Sequence, residues 1–373
     1  MVKLKSFNID LDNKTGVYMP GQTVSGKTIL ELETEMELRE IRLECDGKAH
    51  VAWSEHIDGG DGIDKTKHYS GNEEYFDTTI PVFGKGLGSG DENRLPAGKH
   101  VFPFSFVLPP ELPSSFEGEH GYVRYKVEGI IDRPWAFDEH TVQPFTVLAT
   151  LDLNLEPSAA NGGEAQNSEN ICCLCCKSGP ILGTFKLNRV GYVPGESIYF
   201  EASAQNSSRR VCNVFADLEM VTKYYAIRPK KRIYTETKLI NRIQHQDLAP
   251  GQSDVWSGDR FVIPPLAPSY LGGCSIIDIK YSIKLVIKPH GPSSKLHIPI
   301  EVIIGSIPLQ SVIQQYQKTI STDQKSTPPI IPTPIFSESV WGPTNIKKDE
   351  KREEEHIYGQ LEFTPCYSFY KFS

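Results

Sequence analysis

The stretch Gly191-Tyr192-Val193-Pro194-Gly195-Glu196-Ser197-Ile198 repeats the pattern of an earlier one, Val17-Tyr18-Met19-Pro20-Gly21-Gln22-Thr23-Val24. In both copies Pro-Gly suits the centre of a type II turn, because Pro fixes φ and Gly accepts a positive φ. Two further segments recur in the same order: Leu108-Pro109-Pro110 is answered by Ile263-Pro264-Pro265, and Val123–Val127 by Ile277–Leu285. Landmarks that keep their order across loops of different length predict two related halves.

The segments between the landmarks alternate between apolar and polar residues. In residues 122–132, Val123, Tyr125 and Val127 fall on one face, and Arg124 and Lys126 fall on the other together with the next acidic residue. This period of two indicates a strand with one buried and one wet face. Short alternating strands with frequent turns, and no amphipathic helix pattern inside either half, favour antiparallel sandwiches. We therefore predict an all-β fold of two tandem immunoglobulin-like β-sandwiches.

Changes in composition and Pro- or Gly-rich stretches predict the domain boundaries. Residues 156–170 are polar and rich in Gly, Ala and Ser, and residues 326–334 are rich in Pro. We predict an N-terminal sandwich over residues 1–155 and a linker with a cysteine cluster over 156–178. A C-terminal sandwich is predicted over 179–306, and a Pro-rich, charged and mostly disordered tail over 307–373.

Charge and cysteine usage narrow the class of protein. The 373 residues carry a net charge of −8, which argues against a nucleic-acid binder, since such a protein needs a basic face. The first ten residues lack the apolar core of a signal peptide, and no apolar run reaches the roughly 18 residues of a membrane span. Four of the eight cysteines are scattered singly, unlike a secreted disulfide framework. We expect a cytosolic protein.

Taken together, these segments resemble the α-arrestin family of arrestin domain-containing proteins. The resemblance rests on the following residues: Val17–Gly21, Leu108–Pro110 with Ser115-Phe116, Tyr122–Tyr125, Cys172–Ile181, Gly191–Ser197, Ile263–Pro265, Cys274–Ile277, Tyr281-Ser282 and Ile304–Leu309. It implies two arrestin-type sandwiches, N- and C-terminal, in a cytosolic adaptor that binds tails of membrane proteins and sorts them through endocytosis and endosomes. It also implies peripheral association with the plasma membrane and endosomes. In related arrestins the C-terminal strand can pack on the N-terminal domain, and Leu361–Phe369 is the segment expected to do so here.

Family members often recruit ubiquitin ligases whose WW domains bind Pro-Pro-x-Tyr, and this sequence departs from that pattern. Its nearest match is Thr364-Pro365-Cys366-Tyr367, which lacks the first Pro. WW grooves read preformed polyproline geometry, so the loss of one Pro should weaken binding. A second tail pattern, Tyr358-Gly359-Gln360-Leu361, fits the tyrosine-based sorting motif Tyr-x-x-Φ and is a candidate for docking trafficking partners.

The cysteine cluster Cys172, Cys173, Cys175 and Cys176 admits three interpretations. Clustered cytosolic cysteines beside a linker suit reversible acylation. A zinc site would need distal ligands, because adjacent cysteine pairs wrap one ion poorly. The third interpretation is a set of small buried apolar residues at the hinge between the halves and at the start of a strand.

A basic group is predicted at the tip of a hairpin, formed by Lys223, Arg228, Lys230, Lys231 and Arg232. Near an anionic membrane each basic residue adds about 1 kcal/mol to binding. A solvated turn is the alternative interpretation.

Outside the cysteine cluster, no catalytic, metal-binding or cofactor motif is found in the sequence. The ten histidines and the many carboxylates form neither His-Glu-x-x-His nor Gly-x-Ser-x-Gly. We therefore predict a non-enzymatic adaptor without a cofactor, acting through an edge strand that accepts an extended peptide. The alternative is a stable subunit of a membrane-coat or retromer-like sorting complex that recruits no ligase.

Overall fold

A computed structural model describes residues 4–58, 64–84, 93–173, 176–321, 332–346 and 356–372. Within these ranges, residues 171–173, 176–178 and 319–321 are described by their backbone alone. Two β-sandwiches follow one another along the chain. The all-β prediction of two tandem sandwiches is confirmed.

The N-terminal sandwich packs a three-stranded sheet, in the order β1-β3-β8, against a larger sheet in the order β2-β11-β10-β5-β6. A short pair, β4 with β7, extends it, and β9 pairs with β10. Its strands are β1 (Leu4–Leu11), β2 (Val17–Tyr18), β3 (Thr23–Leu32), β4 (Met36–Leu38), β5 (Glu40–Asp58), β6 (Asp64–Gly84), β7 (Asn93–Leu95), β8 (Gly98–Val107), β9 (Phe116–Glu117), β10 (Gly121–Asp132) and β11 (Glu139–Val147).

The C-terminal sandwich repeats this plan with a four-stranded sheet, β12-β13-β15-β18, and a five-stranded sheet, β14-β20-β19-β16-β17. Its strands are β12 (Gly163–Cys173), β13 (Cys176–Leu187), β14 (Gly191–Tyr192), β15 (Ser197–Asn206), β16 (Cys212–Ala226), β17 (Arg232–Gln244), β18 (Ser253–Val262), β19 (Ile277–Pro289) and β20 (Leu296–Ile304). A single 3-10 turn, Ser269–Leu271, precedes β19.

Matching hydrogen bonds show that the two sandwiches are structural repeats. The hydroxyl of Tyr125 donates to the carbonyl of Pro113 at 2.7 Å, and in the second half Tyr281 donates to Ala267 at 2.7 Å. These buried tyrosines satisfy their polar tips in the same way, as buried hydroxyls must.

A serine fulfils a matching role in each half. The Oγ of Ser115 accepts from the Val147 amide at 2.9 Å, and the Oγ of Ser269 accepts from the Ile304 amide at 2.9 Å. In each half, a serine that follows the Pro-Pro landmark therefore binds the end of a strand, β11 in the first half and β20 in the second.

The linker predicted over residues 156–178 differs from the structure, which places β12 inside it. Residues 163–173 pair antiparallel with β13 at the edge of the C-terminal sandwich. The polar composition is that of an exposed edge strand, whose backbone bonds on one side fix it without apolar side chains. The backbones of Cys172, Cys173 and Cys176 thus belong to β12 and β13 of the C-terminal sandwich rather than to a hinge between the halves, and Cys175 lies outside the described residues.

The actual connection between the sandwiches is the short stretch after β11. The amide of Leu151 donates to Ser306 Oγ at 2.8 Å, and Asn154 Nδ2 donates to the Pro308 carbonyl at 3.0 Å. The segment that follows the first sandwich therefore lies beside the segment that follows the second, and these hydrogen bonds join the two.

The predicted disordered tail contains ordered elements in its described parts. They are α1 (Gln310–Ser321), β21 (Ile335–Glu338), β22 (Thr344–Asn345), β23 (Ile357–Gly359), β24 (Glu362–Phe363) and β25 (Cys366–Phe369). β21 pairs with β25 and β22 with β24, while β23 joins the N-terminal sheet. The residues 332–346 and 356–372 therefore correct the prediction, because apolar side chains of the tail are buried against the sandwiches.

Candidate functional site

The outer edge of β11 is where the C-terminal segment, residues 356–372, joins the N-terminal sheet. β2 pairs in parallel with the end of β11, at Thr146 and Val147. β23 pairs in parallel with its beginning, where Tyr358 lies opposite Thr141. The Gln360 amide then donates to the Val142 carbonyl at 2.8 Å. This edge therefore accepts an extended peptide through backbone hydrogen bonds.

Gly359 permits that close pairing. Its φ is +89°, in the left-handed region that a side chain disfavours. A Cβ at this position would lie 2.3 Å from the carbonyl oxygen of Val142. Glycine is therefore the residue that lets the segment leave β11 in this direction, in the middle of the predicted motif Tyr358–Leu361.

The C-terminal segment also covers the predicted wet face of the sheet. Val142, on that face of β11, packs with Ile346 and Phe363 in a small apolar cluster. Val142 lies directly opposite Glu128 of β10. The polar side chains of Arg124, Lys126 and Glu128 on this face of β10 are buried rather than solvated, which corrects the expectation for them.

These buried charges are paired, as burial requires. Lys126 Nζ lies 2.9 Å from Glu128 Oε2, and His140 Nδ1 lies 2.9 Å from Glu128 Oε1. Arg124 Nε donates to Glu117 Oε1 at 2.8 Å. The sheet face therefore carries a satisfied ionic network, so the segment can lie over it without leaving a charge unpaired.

Two buried tyrosines anchor the end of the segment. The Tyr367 hydroxyl donates to the Ser115 carbonyl at 3.0 Å, and the Tyr370 hydroxyl donates to the Ser306 carbonyl at 2.8 Å. Burial raises the pKa of Tyr370 to about 12, with the carboxylates of Glu196 and Asp152 adding to the effect. The Tyr370 phenol therefore stays protonated further into the alkaline range than an exposed tyrosine does.

All five residues predicted for tail docking are partly or fully buried. Tyr358 and Leu361 are half-buried, Thr364 is half-buried, and Pro365 and Tyr367 are buried. Burial, with Glu139 nearby, raises the pKa of Tyr358. The packing of Leu361–Phe369 on the N-terminal sandwich is thus observed, whereas docking of partners by these five residues stays a prediction.

The predicted basic hairpin tip is formed by residues 227–231 between β16 and β17. Its members differ in their partners. Arg232 makes two hydrogen bonds with the carboxylate of Glu55, each 3.0 Å, so this guanidinium is engaged by the N-terminal sandwich. That contact lowers the pKa of Glu55. Lys230 and Lys231 are exposed and form no ion pair among the described residues.

Lys223 and Arg228 complete this group. Lys223 lies within β16, opposite Asp278, and is half-buried. The Arg228 side chain is exposed, while its backbone exchanges hydrogen bonds with Ser70 at 2.9 and 3.0 Å. The tip is therefore fixed against the N-terminal sandwich by its backbone, and its ammonium groups point to solvent.

The contact between the sandwiches includes residues that carry no sequence motif. Trp53 stacks on Tyr69 with a centroid distance of 5.6 Å and meets Tyr234 at 5.7 Å. The carboxylate of Glu73 accepts hydrogen bonds from the amide and hydroxyl of Ser275. In the sequence, such contacts are indicated only by a long strand with an aromatic residue near its end, and this pattern does not tell which residue of the other sandwich it contacts.

The side chains of Cys172, Cys173, Cys175 and Cys176 lie outside the described residues, so acylation and zinc binding stay predictions. Elsewhere in the described chain, no cluster of three or more His, Cys, Asp or Glu side chains could hold a metal ion. None of the described helices is long and apolar enough to cross a membrane.

Comparison with known proteins matches both sandwiches. The family model "Arrestin (or S-antigen), N-terminal domain" matches residues 7–154, and "Arrestin (or S-antigen), C-terminal domain" matches residues 177–309. The chain is similar to arrestin domain-containing protein 17 of Caenorhabditis elegans, with 28% identity covering 99% of this chain and 100% of that protein.

Two mouse proteins are also similar. Arrestin domain-containing protein 4 is 32% identical over 80% of this chain and 70% of that protein. Arrestin domain-containing protein 1 is 28% identical over 82% of this chain and 65% of that protein. With both sandwiches matched, in order, by arrestin domains, the chain belongs to the family of arrestin domain-containing proteins.

Proposed function

We propose that the protein is a non-enzymatic cytoplasmic adaptor that binds cytosolic segments of membrane proteins. It promotes their endocytosis, endosomal sorting or ubiquitination through trafficking partners, and it associates peripherally with the plasma membrane and endosomes. The observation that carries this proposal is the pairing of β23 with β11, in which an extended segment of the same chain occupies the sheet edge.

The edge of β11 is suited to exchange one peptide for another. β23 contributes only the three residues Ile357–Gly359 to the pairing. A longer extended segment of a partner would form more backbone bonds along the same edge. In this mechanism the C-terminal segment occupies the edge until a partner with a longer pairing stretch replaces it.

The hairpin tip supports an orientation toward the membrane. Lys230 and Lys231 are exposed, and the tip also exposes Ile227 and Ile233. Exposed apolar groups beside ammonium groups suit a surface of anionic lipids, where each basic residue contributes about 1 kcal/mol. The tip would then contact the bilayer while the sandwiches bind the cytosolic tail of the cargo.

Recruitment of a WW-domain ligase through Thr364-Pro365-Cys366-Tyr367 would require release of the C-terminal segment. Pro365 and Tyr367 are buried, so a WW groove cannot reach them while the segment is docked. Cargo binding and ligase recruitment would then be coupled, because cargo that displaces the C-terminal segment from β11 also exposes Pro365 and Tyr367.

Proximity labelling in living cells tests the adaptor role. The full chain is compared with a chain that ends after Leu309 and with the double variant Lys230→Gln/Lys231→Gln. We expect endocytic and endosomal membrane proteins around the full chain, loss of trafficking partners on truncation, and reduced membrane labelling for the double variant. Labelling of neither membrane proteins nor trafficking proteins by the full chain would refute the proposal.

A further inference from the structure

A cleft between the two sandwiches is separate from both the β11 edge and the hairpin tip. The turn that follows Pro110 in the N-terminal half forms one wall, and residues 268–273 of the C-terminal half form the other. The volume is about 700 Å³, within the range of pockets that hold small ligands or several peptide side chains. Clefts between domains are frequent binding sites.

The floor of this interdomain cleft is apolar. Leu112 and Leu271 are buried in it, and Met19 is half-buried. Its two serine hydroxyls are already engaged, because Ser114 Oγ accepts from the Ala149 amide and Ser269 Oγ from the Ile304 amide, each at 2.9 Å. Shape and apolar contact, rather than these hydroxyls, would hold a ligand on the floor.

The charged residues that line the cleft are all acidic. Glu111 and Glu156 are its only ionisable side chains apart from Tyr270, and neither carboxylate forms an ion pair within the described part of the chain. The nearby ammonium of Lys280 is engaged by Glu301 at 3.0 Å. The cleft therefore favours a cation and disfavours a phosphate or a carboxylate.

The wall that contains Tyr270 is held in an uncommon conformation. The φ angles of Tyr270 and Leu271 are 70° and 46°, so two successive residues with side chains occupy the left-handed region. This geometry buries the leucine and leaves the tyrosine ring half-exposed at the rim. The ammonium of Lys280 already lies 5.9 Å from the centroid of this ring, so the ring contacts one cation and can contribute to binding a basic side chain at the rim.

We infer that the interdomain cleft binds an extended peptide in which apolar and basic side chains alternate. Cytosolic segments next to a membrane span carry an excess of Lys and Arg, so juxtamembrane segments of cargo belong to this class. The inference rests on the proposed function for the source of the peptide. The acidic lining of the cleft disfavours acidic peptides and anionic lipid headgroups; the proposed function assigns anionic lipids to the hairpin tip.

Binding is measured on the full chain with methyl-labelled methionine. The probe is an acetylated, amidated hexapeptide with alternating Leu and Arg, and its matched control has Gln in place of Arg. The Met19 methyl lines the cleft, whereas Met36 and Met220 are buried elsewhere and report global change. We expect a saturable shift of the Met19 signal alone, with the control peptide binding about tenfold more weakly, equivalent to about 1.4 kcal/mol.

Matched variants separate the site from general charge effects. Glu111→Gln/Glu156→Gln should weaken the Arg probe about tenfold, to the level of its Gln control. Glu74→Gln/Glu119→Gln removes the same charge at exposed positions outside the cleft and should leave binding unchanged.

An unmoved Met19 signal, equal affinity for the two peptides, or equal loss in both double variants would each overturn the inference. The cellular labelling experiment addresses the adaptor role independently, because the peptide titration needs no cargo. Probe binding without any membrane-protein labelling would refute the proposed function and keep the cleft chemistry. Labelling of membrane proteins without probe binding would support the proposed function and refute peptide binding in the cleft.

Discussion

Tyr367→Ala should release the C-terminal segment from the N-terminal sandwich. Tyr367 is 2% exposed, and its hydroxyl donates to the Ser115 carbonyl at 3.0 Å. Truncation of a buried aromatic side chain costs about 3–5 kcal/mol. Since 1.4 kcal/mol is tenfold, the ratio of docked to released segment should fall by about a hundredfold to a few thousandfold.

Tyr367→Phe isolates the contribution of the hydroxyl. The ring stays, and the loss is one hydrogen bond, which contributes about 0.5–1.5 kcal/mol. The docked ratio should therefore fall by only about two- to tenfold. The ordering of the two variants distinguishes ring burial from hydrogen bonding as the main source of docking energy.

Hydrogen exchange with mass spectrometry measures this release. The amides of Gln360 and Tyr370 donate to the carbonyls of Val142 and Pro194, at 2.8 and 2.9 Å. These protons exchange only when the segment opens. Peptides covering residues 356–372 should exchange fastest in Tyr367→Ala, more slowly in Tyr367→Phe and slowest in the natural sequence.

The control is Tyr199→Ala, which truncates a tyrosine that is about half exposed and distant in sequence from the segment. It should leave the exchange of residues 356–372 unchanged. Exchange in β16 and β19 reports whether the fold as a whole has loosened. If residues 356–372 exchange in Tyr367→Ala as they do in the natural sequence, the reasoning on this anchor is refuted.

Three further predictions concern the same surfaces. Gly359→Ala should abolish the β23 pairing and speed exchange of residues 356–372, because its Cβ would meet the Val142 carbonyl; unchanged exchange would contradict this. Tyr370 has a pKa raised to about 12, so its contribution to stability is complete below pH 10 and is lost as the pH rises toward 12; Tyr370→Phe should remove its share of that alkaline loss in thermal melts, and an unchanged pH dependence would contradict this. Glu55→Gln should weaken the exposed contact with Arg232 and lower the urea midpoint only slightly, with a smaller effect at high salt, because solvent and salt screen this pair; a large loss that is independent of salt would contradict this.

Local patterns predicted the strands and the duplication well. The alternation in residues 122–132 identified β10 and its two faces, because side chains of a strand point alternately to opposite sides. The paired Pro-Gly and Pro-Pro landmarks predicted a repeat that the matching tyrosine and serine bonds confirm. These features depend on near neighbours in the chain, so they are legible without knowledge of the fold.

Other features were not predictable from local patterns. β12 has a polar sequence because it is an exposed edge strand, and its place depends on backbone bonds to β13 that leave no mark in composition. The burial of Lys126 and Glu128 was also not predicted, because alternation places them on a polar face and does not show which distant segments cover that face. Neither effect can be found by scanning a window of neighbouring residues.

The sequence by itself determined two like β-sandwiches, a basic hairpin tip and a C-terminal segment with the aromatic residues needed to dock. Only the tertiary structure decided that this segment joins the edge of β11 and buries an ionic face. It alone also brought Glu111 and Glu156 to one acidic cleft. The physical reason is that alternation and turn chemistry act over a few residues, whereas edges, covers and clefts arise when segments distant in the chain meet.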